Sequence, residues 1–161
     1  GWQWRVRHKC ENLGARIELD NQNMENVMIT IQATVLADSA KAWECYTLPE
    51  HITKWNFASD DWHCPAAFND MNVGGTYRVR MEAKDGSFGF DFVATYTEIL
   101  RGEYFVYAFG DRSARVEFMS VNNDQTLVKI SFDPENENPL DLQRNGWQAI
   151  LNNFRDYAEK N

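Results

Sequence analysis

The sequence predicts an α+β fold, a curved antiparallel sheet wrapped around one long C-terminal helix, on three observations. Apolar residues recur with period two through most of the chain after Val27, turn-forming residues separate these runs at short intervals, and the spacing changes to three and four in the final segment. Tight-turn separators make neighbouring strands pair antiparallel. A strongly curved sheet and one amphipathic helix can bury their apolar faces against each other, and that wrapped geometry tends to leave a cavity between them.

Ile29, Ile31, Ala33 and Val35 alternate with Met28, Thr30, Gln32 and Thr34, which reads as a first strand with one apolar face. Asp38 or Ser39 then caps a short helix that runs through Thr47 and is stopped by Pro49, and a second helical turn follows from Glu50 to about Trp55. After Pro65 and Gly74-Gly75 come strand-like runs from Thr76 to Ala83, Phe88 to Ile99, Tyr104 to Phe109, Ala114 to Val121 and Thr126 to Phe132. They are separated by Lys84-Asp85-Gly86, Arg101-Gly102, Gly110-Asp111 and Asn122-Asn123-Asp124, so the sheet reads as a meander. In the last segment Asn138 suits the N-cap and Pro139 the first helical position, and Leu140, Trp147, Ile150, Leu151, Phe154 and Ala158 fall on one stripe. Gly146 interrupts that helix at a cost of about 1 kcal/mol relative to alanine, which reads as close backbone approach, as space kept for a ligand, or as a tolerated irregularity.

A chain of 161 residues fits one domain, and 43 % hydrophobic with 25 % charged residues is the composition of a packed globule. The aromatic fraction of 14 % exceeds what closing such a core requires, so a concave, aromatic-lined site is expected. A net charge of −8 would repel the phosphates of nucleic acid and the anionic face of a membrane. Neither nucleic acid nor membrane insertion is therefore expected, and no apolar run of spanning length occurs. Cys10, Cys45 and Cys64 are odd in number and lack a Cys-x-x-Cys spacing, so they read as free thiols; with no leader pattern opening the chain, a cytoplasmic location is expected. Residues 1–23 carry four cations against three acids, a balance of +1 that leaves −9 for the remainder. This shift, with Met24 reading as a start position, marks 1–23 as an N-terminal extension outside the core and 24–161 as the single domain.

Phe88, Phe90, Phe92, Ala94 and Tyr96 share one face of a strand, and they either pack as core or line an opening. His51, Asp60, Asp61, His63 and Cys64 form the one cluster rich in metal-ligand types, but it lacks a closed tetrahedral spacing, so neither a metal nor a cofactor is expected. Cys64 with His51 or His63 could pair as nucleophile and base, yet no oxyanion hole, Gly-x-Ser-x-Gly or phosphate-binding glycine loop accompanies them, which argues against an enzyme. The acids Asp133, Glu135, Glu137 and Asp141 read as a solvated loop and a favourable charge at a helix N-terminus.

From Val27 to Lys160 the chain resembles the activator-of-heat-shock-ATPase-like branch of the START and birch-pollen-allergen superfamily (SRPBCC). The resemblance is carried by Ala37 with Trp43, by Thr47-Leu48-Pro49-Glu50-His51-Ile52 with Trp55, and by Trp62-His63-Cys64-Pro65. It continues through Asn69-Asp70, Gly74-Gly75-Thr76-Tyr77, the run from Lys84 to Phe92, Tyr96-Thr97-Glu98, and the run from Gly146 to Phe154. Asp38 stands where the family often has proline and Ala42 where it often has valine. The resemblance implies the helix-grip fold, with a hydrophobic cavity under the sheet and two short helices after the first strand. It implies a binding module for a small apolar or aromatic molecule, with Phe90, Phe92, Tyr96, Tyr107, Trp147 and Phe154 as lining and Trp62 and His63 near the entrance; the Trp147 indole is expected to face the row Phe88, Phe90, Phe92 and Tyr96. Two alternatives stand beside it: a co-chaperone-like module with a chaperone as partner, for which 161 residues leave no second domain of a full activator, and a cyclase or hydrolase of the superfamily.

A chain beginning at Met24 is expected to melt within a few degrees of the full chain, because removing peripheral residues changes stability by less than about 1 kcal/mol. Loss of the cooperative transition would instead make the Trp2 and Trp4 segment part of the sheet.

Overall fold

The alternation that marks the strands also decides which way each faces. In a computed structural model that describes residues 28–161, β1 (Ile29–Val35) alternates buried and exposed at every position. Residues 1–23, expected to be an extension, lie outside the described residues. Two short helices follow, α1 (Ser39–Thr47) and α2 (Pro49–Ile52). Then come β2 (Trp62–Asn69), β3 (Thr76–Ala83), β4 (Gly89–Leu100), β5 (Tyr104–Phe109), β6 (Arg112–Asn122), β7 (Gln125–Phe132) and the helix α3 (Leu140–Lys160). The strands form one antiparallel seven-stranded sheet in the order β1-β7-β6-β5-β4-β3-β2. It curls into a half-barrel around α3, which is the α+β helix-grip arrangement.

Asp38, rather than Ser39, caps α1: its side chain accepts from the Lys41 backbone N–H at 2.8 Å. Pro139, rather than Asn138, is the N-cap of α3. Asn138 is drawn away because its backbone and side-chain amides both donate to the Glu135 carboxylate.

β2 was hidden by Pro65, since proline removes a ladder donor and demotes a strand reading. It is tolerated because β2 is an edge strand and its register slips between His63 and Ala66, where Pro65 sits. Further slips at Tyr96/Glu98 in β4 and Ser120/Asn122 in β6 add bends that help the sheet to curl. The two-residue loop between β5 and β6 has Gly110 at φ +66°, a left-handed conformation that lets the hairpin close directly between Phe109 and Arg112.

The opposite edge, β1, is covered by α3. Arg144 Nη1 donates to the Thr30 carbonyl at 3.1 Å, Gln148 Nε2 to the Gln32 carbonyl at 3.2 Å, and the Leu36 N–H donates to Glu159 at 2.9 Å. These bonds occupy edge groups that would otherwise invite another strand, and they set the helix against the sheet.

Replacing Asp38 with alanine should cost about 1 kcal/mol of unfolding free energy, measured by urea denaturation, and Asp38→Ser should recover most of it. Equal stability of wild type and Asp38→Ala would show that the cap contributes nothing.

Candidate functional site

Period-two geometry turns Tyr77, Val79 and Met81 of β3, Phe90 and Phe92 of β4, and Tyr107 and Phe109 of β5 to the concave side of the sheet. One end of this surface is filled. Trp43 and Tyr46 of α1 and Trp55, just after α2, pack with Phe105, Phe118 and Phe154, with Tyr46 4.9 Å from Phe154 and Trp55 5.1 Å from it, ring centre to ring centre. The Trp55 indole N–H donates to the Cys45 carbonyl at 2.9 Å, which fixes its ring. Among the described residues the other end is open. Along β4 the exposure rises from 1 % at Tyr96 and 2 % at Ala94 to 42 % at Phe90, reaching 61 % at Phe88 just before the strand.

Between filled and open ends lies a cavity of about 320 Å³ under the N-terminal half of α3. Its sheet wall is the β3–β5 surface above with Ile130, its helix wall is Gln143, Trp147, Ile150 and Leu151, and Tyr46 and Asn56 close the inner end. Arg112 and Glu135 stand among the lining residues, one charge of each sign. A shallower recess adjoins it, sharing Met81, Phe90, Gln143, Trp147 and Ile150 and reaching Trp62, Leu142 and Gly146. Trp62 meets Phe88 and Phe90 edge-on at 6.0 and 6.1 Å, so three aromatic rings cluster beside the recess.

Gln143 holds the loop over this mouth. Its Oε1 accepts from the Glu135 N–H at 2.8 Å, and its Nε2 donates to the carbonyls of Glu135 and Asn138 at 3.0 and 2.7 Å. The acidic run is thus partly structural: Glu135 also accepts from the backbone of Glu137 and Asn138, and Asp133 accepts from the Ser113 N–H at 2.9 Å.

Of the residues expected at a site, Phe90, Phe92, Tyr107 and Trp147 line the cavity and Trp62 lines the recess. Tyr96 and Phe154 lie elsewhere: both are fully buried in the packed end, and the Tyr96 hydroxyl donates to Asn69 at 2.7 Å. His63 lies away from both, paired with Glu82 across β2 and β3 on the convex face, 3.7 Å from its carboxylate. The Trp147 indole lies flat on Phe132, 4.0 Å away and tilted by 10°, rather than against the β4 row. A Cβ on Gly146 would meet nothing within 4 Å, so close backbone approach does not explain this glycine.

Tyr46, Tyr77, Met81, Phe109, Asn56 and Gln143 were not singled out in the sequence. Tyr77 and Met81 share the period-two face of Val79, Phe109 follows Tyr107 by two, and Gln143 is a polar residue on the apolar helix stripe, so each carried a signal. Asn56, in a turn, carried none.

Burial holds the phenols of Tyr46, Tyr77, Tyr96 and Tyr107 well above the ordinary tyrosine range, and it raises the Cys45 and Cys64 thiols. The interior thus presents neutral hydroxyls and thiols at physiological pH. Among the described residues no group of three or more His, Cys, Asp or Glu comes together to hold a metal ion, and no helix is long and apolar enough to cross a membrane.

Over residues 36–159 the sequence matches the family described as Activator of Hsp90 ATPase homolog 1-like protein. The chain belongs to this family. Among solved structures, the AHSA1-like protein from Aeromonas hydrophila is similar at 36 % identity, covering 83 % of this chain and 93 % of that one with a TM-score of 0.78. Chr148 from Cytophaga hutchinsonii is 46 % identical over 83 % of this chain and 92 % of its own, with a TM-score of 0.71. CV1439 from Chromobacterium violaceum, at 20 % identity and a TM-score of 0.73 over 83 % of this chain and 98 % of its own, shares the fold. No match was found among curated proteins. In this family member aromatic rings thus both fill one end of the grip and line the partly open one.

The raised tyrosine values set a pH dependence. A group whose folded pKa lies above its unfolded value contributes stability below the unfolded pKa and loses it as the pH rises beyond. Melting temperature should therefore be flat with respect to these tyrosines up to pH about 10, the ordinary tyrosine value, and fall above it. Tyr77→Phe with Tyr107→Phe should flatten the fall; an unchanged slope would show that these phenols ionise freely in the folded state.

Proposed function

We propose that this protein binds a small, mostly apolar or aromatic molecule in the cavity between the sheet and the N-terminal half of α3. Phe90, Phe92, Tyr107 and Trp147 make the contacts, and the molecule passes the rings of Trp62 and Phe88 on its way in. One observation carries this reading: the apolar concave face continues past the protein's own packing, from buried Ala94 to exposed Phe88. A large aromatic side chain left in water forfeits about 1.5–3 kcal/mol of burial, and a bound apolar body recovers part of it.

The neutral fluorophore N-phenyl-1-naphthylamine should bind saturably at one site, brighten and quench tryptophan emission. Gly146→Leu should weaken that binding several-fold by filling the recess, while raising helix stability by up to about 1 kcal/mol. Absence of saturable binding, or a leucine variant that only stabilises, would mean that the interior behaves as solid core.

The family description and the exposed Phe88 and Phe90 rings beside half-buried Trp62 support a second reading, a surface for a heat-shock ATPase. A saturable, stoichiometric rise in that ATPase's turnover, lost in Phe88→Ser with probe binding intact, would place this reading first.

A further inference from the structure

The polar groups of the cavity say more about its ligand than the apolar ones. Six tyrosines occur in the chain, and among the described residues three have hydroxyl partners: Tyr96 donates to Asn69 at 2.7 Å, Tyr104 to Glu98 at 3.2 Å, and Tyr157 meets His51 Nδ1 at 2.6 Å. Tyr46, Tyr77 and Tyr107 have no such partner among the described residues, and all three line the cavity. They are 6 %, 5 % and 4 % exposed, so apart from the cavity they line little is open to their hydroxyls. Buried tyrosine hydroxyls usually find a partner, and leaving one unmade is unfavourable. The hydroxyls come from three elements, α1, β3 and β5, and lie close enough for ionisation of Tyr107 to disfavour that of Tyr46 and Tyr77; the rings of Tyr77 and Tyr107 are 5.4 Å apart. Asn56, also buried, spends its amide N–H on the Met81 sulfur at 3.5 Å, a weak acceptor. The charged lining residues are Arg112 and Glu135, of opposite sign, so the lining selects for neither anion nor cation.

We infer that the ligand is a neutral ring compound bearing a carbonyl-type oxygen, and that the hydroxyls of Tyr46, Tyr77 and Tyr107 donate to it. This rests on the binding reading above and adds the ligand's chemical class. A purely apolar cavity would prefer a hydrocarbon to the ketone of the same shape, because taking the carbonyl out of water is unfavourable. Hydroxyl donors in the wall reverse that order, because they replace the hydrogen bonds the carbonyl gives up in water.

The test compares 9-fluorenone with fluorene, which differ by a carbonyl against a methylene, by titration of tryptophan fluorescence. Wild type should bind fluorenone at least about fivefold more tightly, the equivalent of one net hydrogen bond. Tyr77→Phe and Tyr107→Phe should each lower fluorenone affinity about fivefold and leave fluorene affinity unchanged or improved. Neither change removes a protein hydrogen bond, so neither should lower the melting temperature, whereas Tyr96→Phe, which does, should lower it without altering the preference. Equal binding of the two compounds, tighter binding of fluorene, or a preference undiminished in both Phe variants would overturn the carbonyl assignment and leave the binding reading standing. Binding of neither compound would overturn both.

Discussion

One constraint governs the described residues: seven strands curl around a single long helix, and that helix is too narrow to cover the whole concave face they create. α1 and α2 supply the missing cover at one end, where Trp43, Tyr46 and Trp55 wedge against Phe105, Phe118 and Phe154. Among the described residues nothing equivalent stands over the other end. The division is visible along α3 itself: Leu151, Phe154 and Ala158 in its second half are buried, while Leu140, Trp147 and Ile150 in its first half are only partly covered. The same amphipathic stripe is thus core over one stretch and cavity wall over the other.

The cavity keeps its shape because its walls are held by polar bonds as well as by packing. Arg144 and Gln148 tie α3 to the edge carbonyls of β1, and Gln143 latches the loop between β7 and α3. These bonds run from a helix to backbone groups, so they fix spacing without filling the interior. Trp147 stacked on Phe132 adds a rigid apolar clamp on the same side. Preorganisation of this kind lowers the ordering a ligand must impose when it binds.

Much of this was legible in the sequence, and the misses share a cause. Periodicity located six strands and the helix within a residue or two, because alternation is a local property of one strand. It could not show β2, where Pro65 disguises a strand that survives only as a bulged edge. It placed Tyr96 and Phe154 correctly on apolar faces, but whether a position on such a face is core or wall depends on what α1 and α2 cover, a tertiary fact. His63 illustrates the other limit: its neighbour Trp62 does face the recess, and one residue of offset in a strand sends a side chain to the opposite face. Gln143 was the readable signal that went unread, a polar residue inside an apolar stripe.

The distribution of tyrosine hydroxyls bears on why these positions hold tyrosine at all. Phenylalanine fills nearly the same volume and leaves no donor to satisfy, so packing alone gives no reason for a hydroxyl at Tyr46, Tyr77 or Tyr107. At Tyr96 the hydroxyl has its reason within the fold, the bond to Asn69, whose own amide donates to the Thr47 carbonyl at 2.6 Å and ties β2 to the end of α1. Where local rules of polar satisfaction are broken without a structural return, the broken rule is itself a marker of function. Here the three hydroxyls without a partner among the described residues fall on one surface, the wall of the cavity beside the narrow helix, so the constraint that makes the space and the chemistry that would use it meet at the same residues.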